Sequence, residues 1–489
     1  MSTFFGIEIG RRALMAQQRA LETTSHNVAN ANTKGYSRQE AVLATTSPFS
    51  YPGMGAGQLG TGVVVQSLRR VRESFLDAQF RNEVKALGRW EVRRDTLEKL
   101  EAILNEPGEN GLSKLMDRFF AAWQELAKNP ESEAARSVVR QEGIALAEAF
   151  NHLAAQLNDL SADLTTSVGV RVNEVNSLAR QIRDLNAQIV KAESGNMAAN
   201  DLRDRRDLLL DELAKVVPIQ VEEDRYGAVT IVVRDHTLLS GQQVNELRFN
   251  PSTGEVSWAD GAAYAPHVTG SNLYGSLEGL LEARDELLTE YRSRLDELVK
   301  NIAEAVNRQH RAGAGIDGST GLDFFSFDVQ RPSVTIKVTD TILNDTKKIA
   351  AATPVRDPES GELVLDPATG EPVPPPPGDG SNALLIAQLK NGWDKNGDGT
   401  IDVVFADQYN SWVADLGVKG QEAARMVDNQ ELLTSQLDSR RQAVSSVSLD
   451  EEMANMVRFQ QAYNAAARLI TAVDEMLDIL INRTGIVGR

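Results

Sequence analysis

Residues 449–477, LDEEMANMVRFQQAYNAAARLITAVDEML, place Leu449, Met456, Tyr463, Ile470 and Leu477 one heptad apart. Residues 7–28, IEIGRRALMAQQRALETTSHNV, do the same with Ile7, Leu14, Leu21 and Val28. A sustained apolar heptad marks a helix that buries a seam against partner helices. These two stretches stand at opposite ends of a 489-residue chain. Both termini are therefore expected to form one coiled-coil element, with the globular body between them. Such a chain reads as one that polymerises or docks rather than one that catalyses.

The seams are only half apolar. Gln17, Gln18, Thr24 and Ser25 follow the first set of anchors, and Gln460 interrupts the second. Helices of this kind are marginal alone and order with partners. Asn27, Asn30 and Asn32, followed by Gly35 and Tyr36, close the first helix in a turn, because Asn and Gly tolerate left-handed backbone. Ala462, Ala465, Ala466 and Ala467 permit close helix approach, although helix propensity explains them equally well.

Between the ends, residues 40–72 alternate apolar and polar around a Gly-rich stretch and read as short strands or extended loop. Residues 75–215 are helical in period, broken at Pro107-Gly108, Asn129-Pro130 and Ser194-Gly195-Asn196. Val172, Val175, Leu178, Ile182, Leu185 and Ile189 keep helical spacing, which implies long antiparallel helices in a bundle. Residues 216–272 change to period two, with a strand–turn–strand around Asn250-Pro251 and Thr253-Gly254. A helix follows over 275–312, strand character returns over 320–350, and helix returns from 382. The stretch 354–380, with Pro374 to Pro377, reads as an exposed proline-rich loop.

The fold class is thus mainly α with inserted β-rich material (α+β). Three parts are expected. Terminal helices 1–39 and 447–489 form the coiled coil. Segments 40–215, 273–319 and 382–446 form a helical bundle, and 216–272 with 320–381 form an outer β-rich region.

Composition narrows the function. The chain has 69 acids against 51 bases, a net charge of −18. That disfavours nucleic acid, whose binding rests on neutralised phosphates, and an anionic membrane surface. With no cysteine, disulfide and thiolate chemistry are excluded. No run nears roughly 18 apolar residues, so no membrane span is expected. The first residues lack the layout of a cleaved signal peptide.

No active site is nominated. His26, His152, His236, His267 and His310 are scattered singly and read as surface or capping residues. Gly55-Ala56-Gly57-Gln58-Leu59-Gly60 matches a phosphate-loop pattern but leads into a strand-like run, the reverse of the helix that chemistry requires. One motif stands out. Asp394, Asn396, Asp398, Thr400 and Asp402 alternate oxygen donors around Gly399, as in a calcium loop. Its last ligand position holds Phe405 instead of a bidentate Glu, so any calcium site is expected to be weak. No cofactor is required.

Residues 23–39, TTSHNVANANTKGYSRQ, resemble the N-terminal motif of bacterial flagellar axial proteins, the rod, hook and hook-associated subunits. SLDEEM (448–453), QQAY (460–463) and AAAR (465–468) are similar to their C-terminal motif. Residues 119–158, 199–213 (ANDLRDRRDLLLDEL), 275–287 (GSLEGLLEARDEL) and 381–384 resemble the body of the hook-associated branch, which rod and hook proteins do not share. The proline-rich stretch and the calcium-like loop depart from the pattern.

The resemblance implies a non-enzymatic structural subunit. Paired terminal helices line the inner axis, and β-rich domains face outward. Such a subunit leaves the cell through the flagellar type III apparatus without a cleaved signal, and a chaperone holds its C-terminal helix beforehand. Its partners would be copies of itself in a ring, the hook protein and the second junction protein, at the extracellular hook–filament junction. The assembly interface would use Ile7, Leu14, Leu21 and Val28 with Asn27, Asn30, Asn32, Gly35 and Tyr36. Opposite them would lie Leu449, Met453, Met456, Tyr463, Ile470 and Leu477. A second junction protein or a hook subunit is the alternative within the class. An exported wall hydrolase would need catalytic groups that 216–380 lacks, and an adhesive role for 320–380 stays open.

Overall fold

The computed structural model describes residues 4–49, 58–104, 108, 111–195, 197–264, 275–357, 361–367, 370, 372–398 and 400–483. Among these, α1 (Phe4–Asn30) leads into the hairpin β1 (Gln39–Thr45) and β2 (Val63–Arg70). Four helices follow: α2 (Ser74–Leu104), α3 (Leu112–Lys128), α4 (Glu133–Ser194) and α5 (Asn200–Val216). The breaks fall where Pro, Gly and Asn interrupt the helical period.

Next comes a four-stranded antiparallel meander, β3 (Ile219–Glu223), β4 (Val229–Val233), β5 (His236–Ser240) and β6 (Gln243–Val244). The hairpin β7 (Leu247–Phe249) and β8 (Val256–Trp258) turns at the Asn-Pro and Thr-Gly pairs. α6 (Ser276–Glu282) continues through a π turn, Ala283–Leu287, into α7 (Leu288–Ala312). Short elements follow: β9 (Phe325–Ser326), α8 (Pro332–Thr335), β10 (Lys337–Val338) and α9 (Asp340–Asn344). The chain ends in α10 (Ser381–Gln388), α11 (Phe405–Ser445) and α12 (Leu449–Asp478), with a last π turn at Ile479–Arg483.

The molecule is mainly helical with small antiparallel sheets, as its α+β reading requires. Two units emerge: residues 1–88, 170–277 and 428–489 in the first, and 89–169 and 278–427 in the second. The two β-rich stretches anticipated as one outer region therefore belong to different units, 216–272 to the first and 320–381 to the second.

In the first unit, the C-terminal part of α4 lies under the meander. β4 alternates buried and half-buried side chains, with Val229, Ile231 and Val233 inward. Two helical asparagines pin the strands. Asn186 donates to the Val229 carbonyl (2.9 Å) and accepts its N–H (3.2 Å), and Asn176 does the same with Leu247 (2.7 and 2.9 Å). The amide side chain thus takes the place of a neighbouring strand's peptide group.

In the second unit, α3 and α7 enclose an aromatic core of Phe119, Trp123, Phe324 and Phe325, each at most 1% exposed. Here Asn307 pins Phe325 in the same way, donating at 2.7 Å and accepting at 2.8 Å. His310, read as a surface or capping residue, sits inside this core at 0% exposure. It accepts from the Ala350 N–H through Nε2 (3.0 Å), so the ring proton lies on Nδ1 and is donated to the Leu322 carbonyl (2.7 Å). Burial pulls its pKa down to about 4.

Strand character is expected over 320–350, which includes SVTIKV (333–338), yet Ser333 to Thr335 are helical, because Pro332 begins a helical turn that suits its fixed φ. Only Lys337 and Val338 of that run pair, with Ser326 and Phe325. The proline-rich stretch is largely exposed loop, as expected, and its described part folds back twice. Val364 N–H reaches the Val355 carbonyl (3.1 Å) and Val373 N–H the Val364 carbonyl (2.9 Å). Prolines are tolerated because these bonds use valine donors.

Candidate assembly site at the paired terminal helices

α1 and α12 lie antiparallel, with Gly6 against Val473, Gly10 against Ile470, and Asn27 against Glu452. As α1 advances from 6 to 27, α12 runs back from 473 to 452. The approach is close. A Cβ on Gly6 would lie 3.3 Å from Val473 Cγ2, and one on Gly10 would lie 2.6 Å from Ile470 Cγ1. The residues of α1 that bury are accordingly small or polar: Gly10, Ala16, Ala20, Thr23, Thr24 and Asn27.

This shifts the seam expected from the apolar heptad. Ile7, Leu14, Leu21 and Val28 are only half-buried and flank the contact. Gln18 and Ser25 face solvent, while Gln17 is half-buried. On α12, Met456, Tyr463 and Ile470 are half-buried and Leu477 is buried, in line with the heptad. Leu449 (49% exposed) and Met453 (62%) point away from α1 instead. Of the four alanines only Ala466 is buried, and Gln460 is exposed. Ser448 caps α12 by accepting the Glu451 N–H, and Asp450, Glu451 and Glu452 complement its N-terminal dipole.

The exposed side of α12 keeps an apolar character. Leu449, Met453, Val457, Leu469 and Met476 are each 44–62% exposed, the first three along one flank of the seam and the last two along the other. The hairpin β1–β2 packs along α1, and Arg12 donates to the Thr61 carbonyl at 3.2 Å. Glu8 is half-buried, and its hydrogen bonds from Arg11 and Arg12 hold its carboxyl down at about 2.

Where α1 ends, Asn27 becomes a hub. Its Oδ1 accepts from the Tyr36 hydroxyl (2.8 Å) and the Gln39 N–H (2.9 Å). Its Nδ2 donates to the Gln39 carbonyl (2.9 Å) and Glu452 Oε2 (3.0 Å). Asn30 works locally, donating to the His26 carbonyl (3.0 Å), and Asn32 is exposed. Gly35 takes φ +80°, the left-handed turn the asparagine-rich run announced. Arg38 donates to Glu451 at 2.8 Å, and its N–H reaches the Ser445 carbonyl at 2.8 Å. The anticipated residues Asn27, Gly35 and Tyr36 therefore meet at one corner, whereas Asn30 and Asn32 do not reach α12.

Sequence reasoning missed an acid ladder below this corner. On α5, Asp201, Asp204, Asp207 and Asp211 share one helix face. Gln39 Nε2 donates to Asp201 (2.7 Å), and the Ser37 N–H and Arg70 to Asp204 (2.9 and 2.8 Å). Arg70 also reaches Asp207 (2.6 Å), and Arg81 reaches Asp211 (2.7 Å), which Arg441 shares. Burial drives the Asp204 pKa up despite Arg70, while Arg72, Arg70 and Arg81 outweigh burial at Asp207 and hold it down. Spacing of three and four residues was the available signal.

The calcium-like loop uses its own oxygens. Asp394 accepts from the Gly397 and Asp398 N–H groups, Asp398 from Thr400, and Asp402 from the Lys395 and Asn396 N–H groups and the Asn396 amide. Gly399 lies outside the described residues, as do Gly55, Ala56 and Gly57 of the phosphate-loop pattern. Among the described residues no three acidic or histidine side chains converge as a metal site. Nor is any described helix long and apolar enough to cross a membrane.

Comparison with known proteins agrees with this architecture. Residues 97–325 match the family described as "Flagellar hook-associated protein FlgK helical domain". Residues 7–36 match "Flagella basal body rod protein", and 440–483 match "Flagellar basal body rod FlgEFG protein C-terminal". The chain is 36% identical to flagellar hook-associated protein 1 of Bacillus subtilis, over 100% of both chains. It is 28% identical to that of Salmonella typhimurium, over 96% of this chain and 98% of the relative. The fold is similar to the flagellar hook junction protein FlgK of Burkholderia pseudomallei, with TM-score 0.61, 16% identity, and coverage of 76% of this chain and 100% of that one. The chain belongs to the flagellar hook-associated protein 1 family.

Proposed function

We propose that the chain is a structural subunit joining hook to filament, polymerising as a ring through α1 and α12. The observation that carries this reading is the two-sided character of α12. One face meets the small residues of α1, and the flanks to either side leave Leu449, Met453 and Val457, and Leu469 and Met476, in solvent. Such exposed apolar flanks are contact surfaces awaiting helices of neighbouring copies. The hook protein on one side and the second junction protein on the other are the proposed end partners.

Export through the flagellar type III apparatus without a cleaved signal, and a chaperone holding α12 before export, complete the proposal. An exposed apolar face on a helix that awaits assembly needs cover against aggregation. Deletion of the gene tests the reading. Hooks without filaments, with flagellin lost to the medium, are expected. Normal filaments in that strain would refute it.

A further inference from the structure

We propose that Tyr36 is a positioning residue for α12, acting through Asn27, so that the two ends of the chain order in one step. Tyr36 and Glu452 are each bonded to Asn27 but not to each other. The Asn27 amide has two acceptor sites and two donor hydrogens, and all four are used. Tyr36 O–H and Gln39 N–H both donate, so the end of the amide they face must be oxygen. The nitrogen then points at Glu452.

Glu452 depends on that orientation. Its side chain is 4% exposed, and its nearest cation, Arg38 Nη1, stands 4.0 Å away. A buried carboxylate without a close donor is costly, so docking of the first turn of α12 requires Asn27 correctly aimed. Burial, with Asp201, Asp204 and Glu452 nearby, pushes the Tyr36 phenol well above its ordinary value, so it remains a donor at physiological pH. The relay Tyr36–Asn27–Glu452 thus spans 425 residues of sequence in two hydrogen bonds. The coupling is intramolecular and stands independently of the ring. If the proposed function also holds, a subunit joins the axis with both terminal helices ordered or neither.

Hydrogen exchange of the full chain, read by mass spectrometry over 449–459, tests the relay with Tyr36→Phe, Glu452→Met, which removes the acceptor, and the double variant. Tyr36→Phe is expected to speed exchange over 452–459 about five- to tenfold, although no hydrogen bond joins Tyr36 to α12. Glu452→Met should act on the same amides. The double variant should exchange no faster than the quicker single one, since both cut one relay. Three results would each overturn the proposal: acceleration confined to 30–39, effects that multiply in the double variant, or acceleration that also reaches the sheet at 229–239. Absence of protection over 449–459 in the unsubstituted chain would overturn it as well. Because the readout needs no flagellum, its failure is separable from failure of the assembly reading.

Discussion

The terminal pair and the aromatic core of the second unit solve the same problem in opposite ways. Around α7, large side chains meet on all sides: Phe119, Trp123, Phe324 and Phe325 are at most 1% exposed, and their rings lie 4.9–6.3 Å apart. At α1 and α12, glycine, alanine and threonine bring the backbones close, while large apolar side chains on α12 remain in water. The first arrangement is complete within one chain. The second leaves apolar side chains uncovered within the chain.

Truncation should expose that contrast most strongly. Trp123→Ala is expected to cost about 3–5 kcal/mol of unfolding free energy, whereas Ile470→Ala should cost about 1 kcal/mol in the isolated chain. Chemical denaturation of both variants measures the gap. Equal losses would mean that the terminal pair is as self-sufficient as the core.

Next in size is the response to acid, which should strike the core and spare the seam. The folded His310 holds its pKa near 4, below the ordinary 6.5. The unfolded chain therefore binds a proton at this site below about pH 6.5 when the folded chain does not. Stability present above pH 6.5 should be lost as pH falls toward 4, by roughly 3 kcal/mol at the lower end. Urea midpoints at pH 7 and pH 4.5 report it, and His310→Gln should flatten that dependence. An unchanged slope in the variant would assign the acid sensitivity elsewhere.

Smallest of all should be the effect of calcium. The carboxylates of 394–402 already accept hydrogen bonds within the loop, and the twelfth-position ligand is Phe405. Calorimetric titration is expected to give a Kd no tighter than roughly millimolar, the weak end of such loops. Micromolar affinity would show that the loop rearranges around the ion.

Much of this architecture was legible in the residues. Pro, Gly and Asn breaks marked the helices from α2 to α5, and period-two runs marked the meander. The resemblance of both ends and of the body pointed to the right family. The seam was less legible, because the reading followed large apolar residues. Gly10, Ala16, Ala20 and Thr24 bury through closeness of backbones rather than side-chain size, a signal that hydrophobic periodicity does not weigh. Asn27 was singled out for its turn propensity, but its four partners come from the tertiary corner it builds. The acid ladder of α5 was hidden among 69 carboxylates, since only burial by arginines separates Asp204 and Asp207 from solvated acids.

Peroxide footprinting of methionines tests the incompleteness of the terminal pair most directly. Met453 and Met476 are 62% and 54% exposed, one on each flank of α12 beside the seam. Both should oxidise readily in the isolated chain and be protected about tenfold or more in purified hook–filament particles, where neighbouring copies cover those flanks. Equal reactivity in the two states would contradict the account.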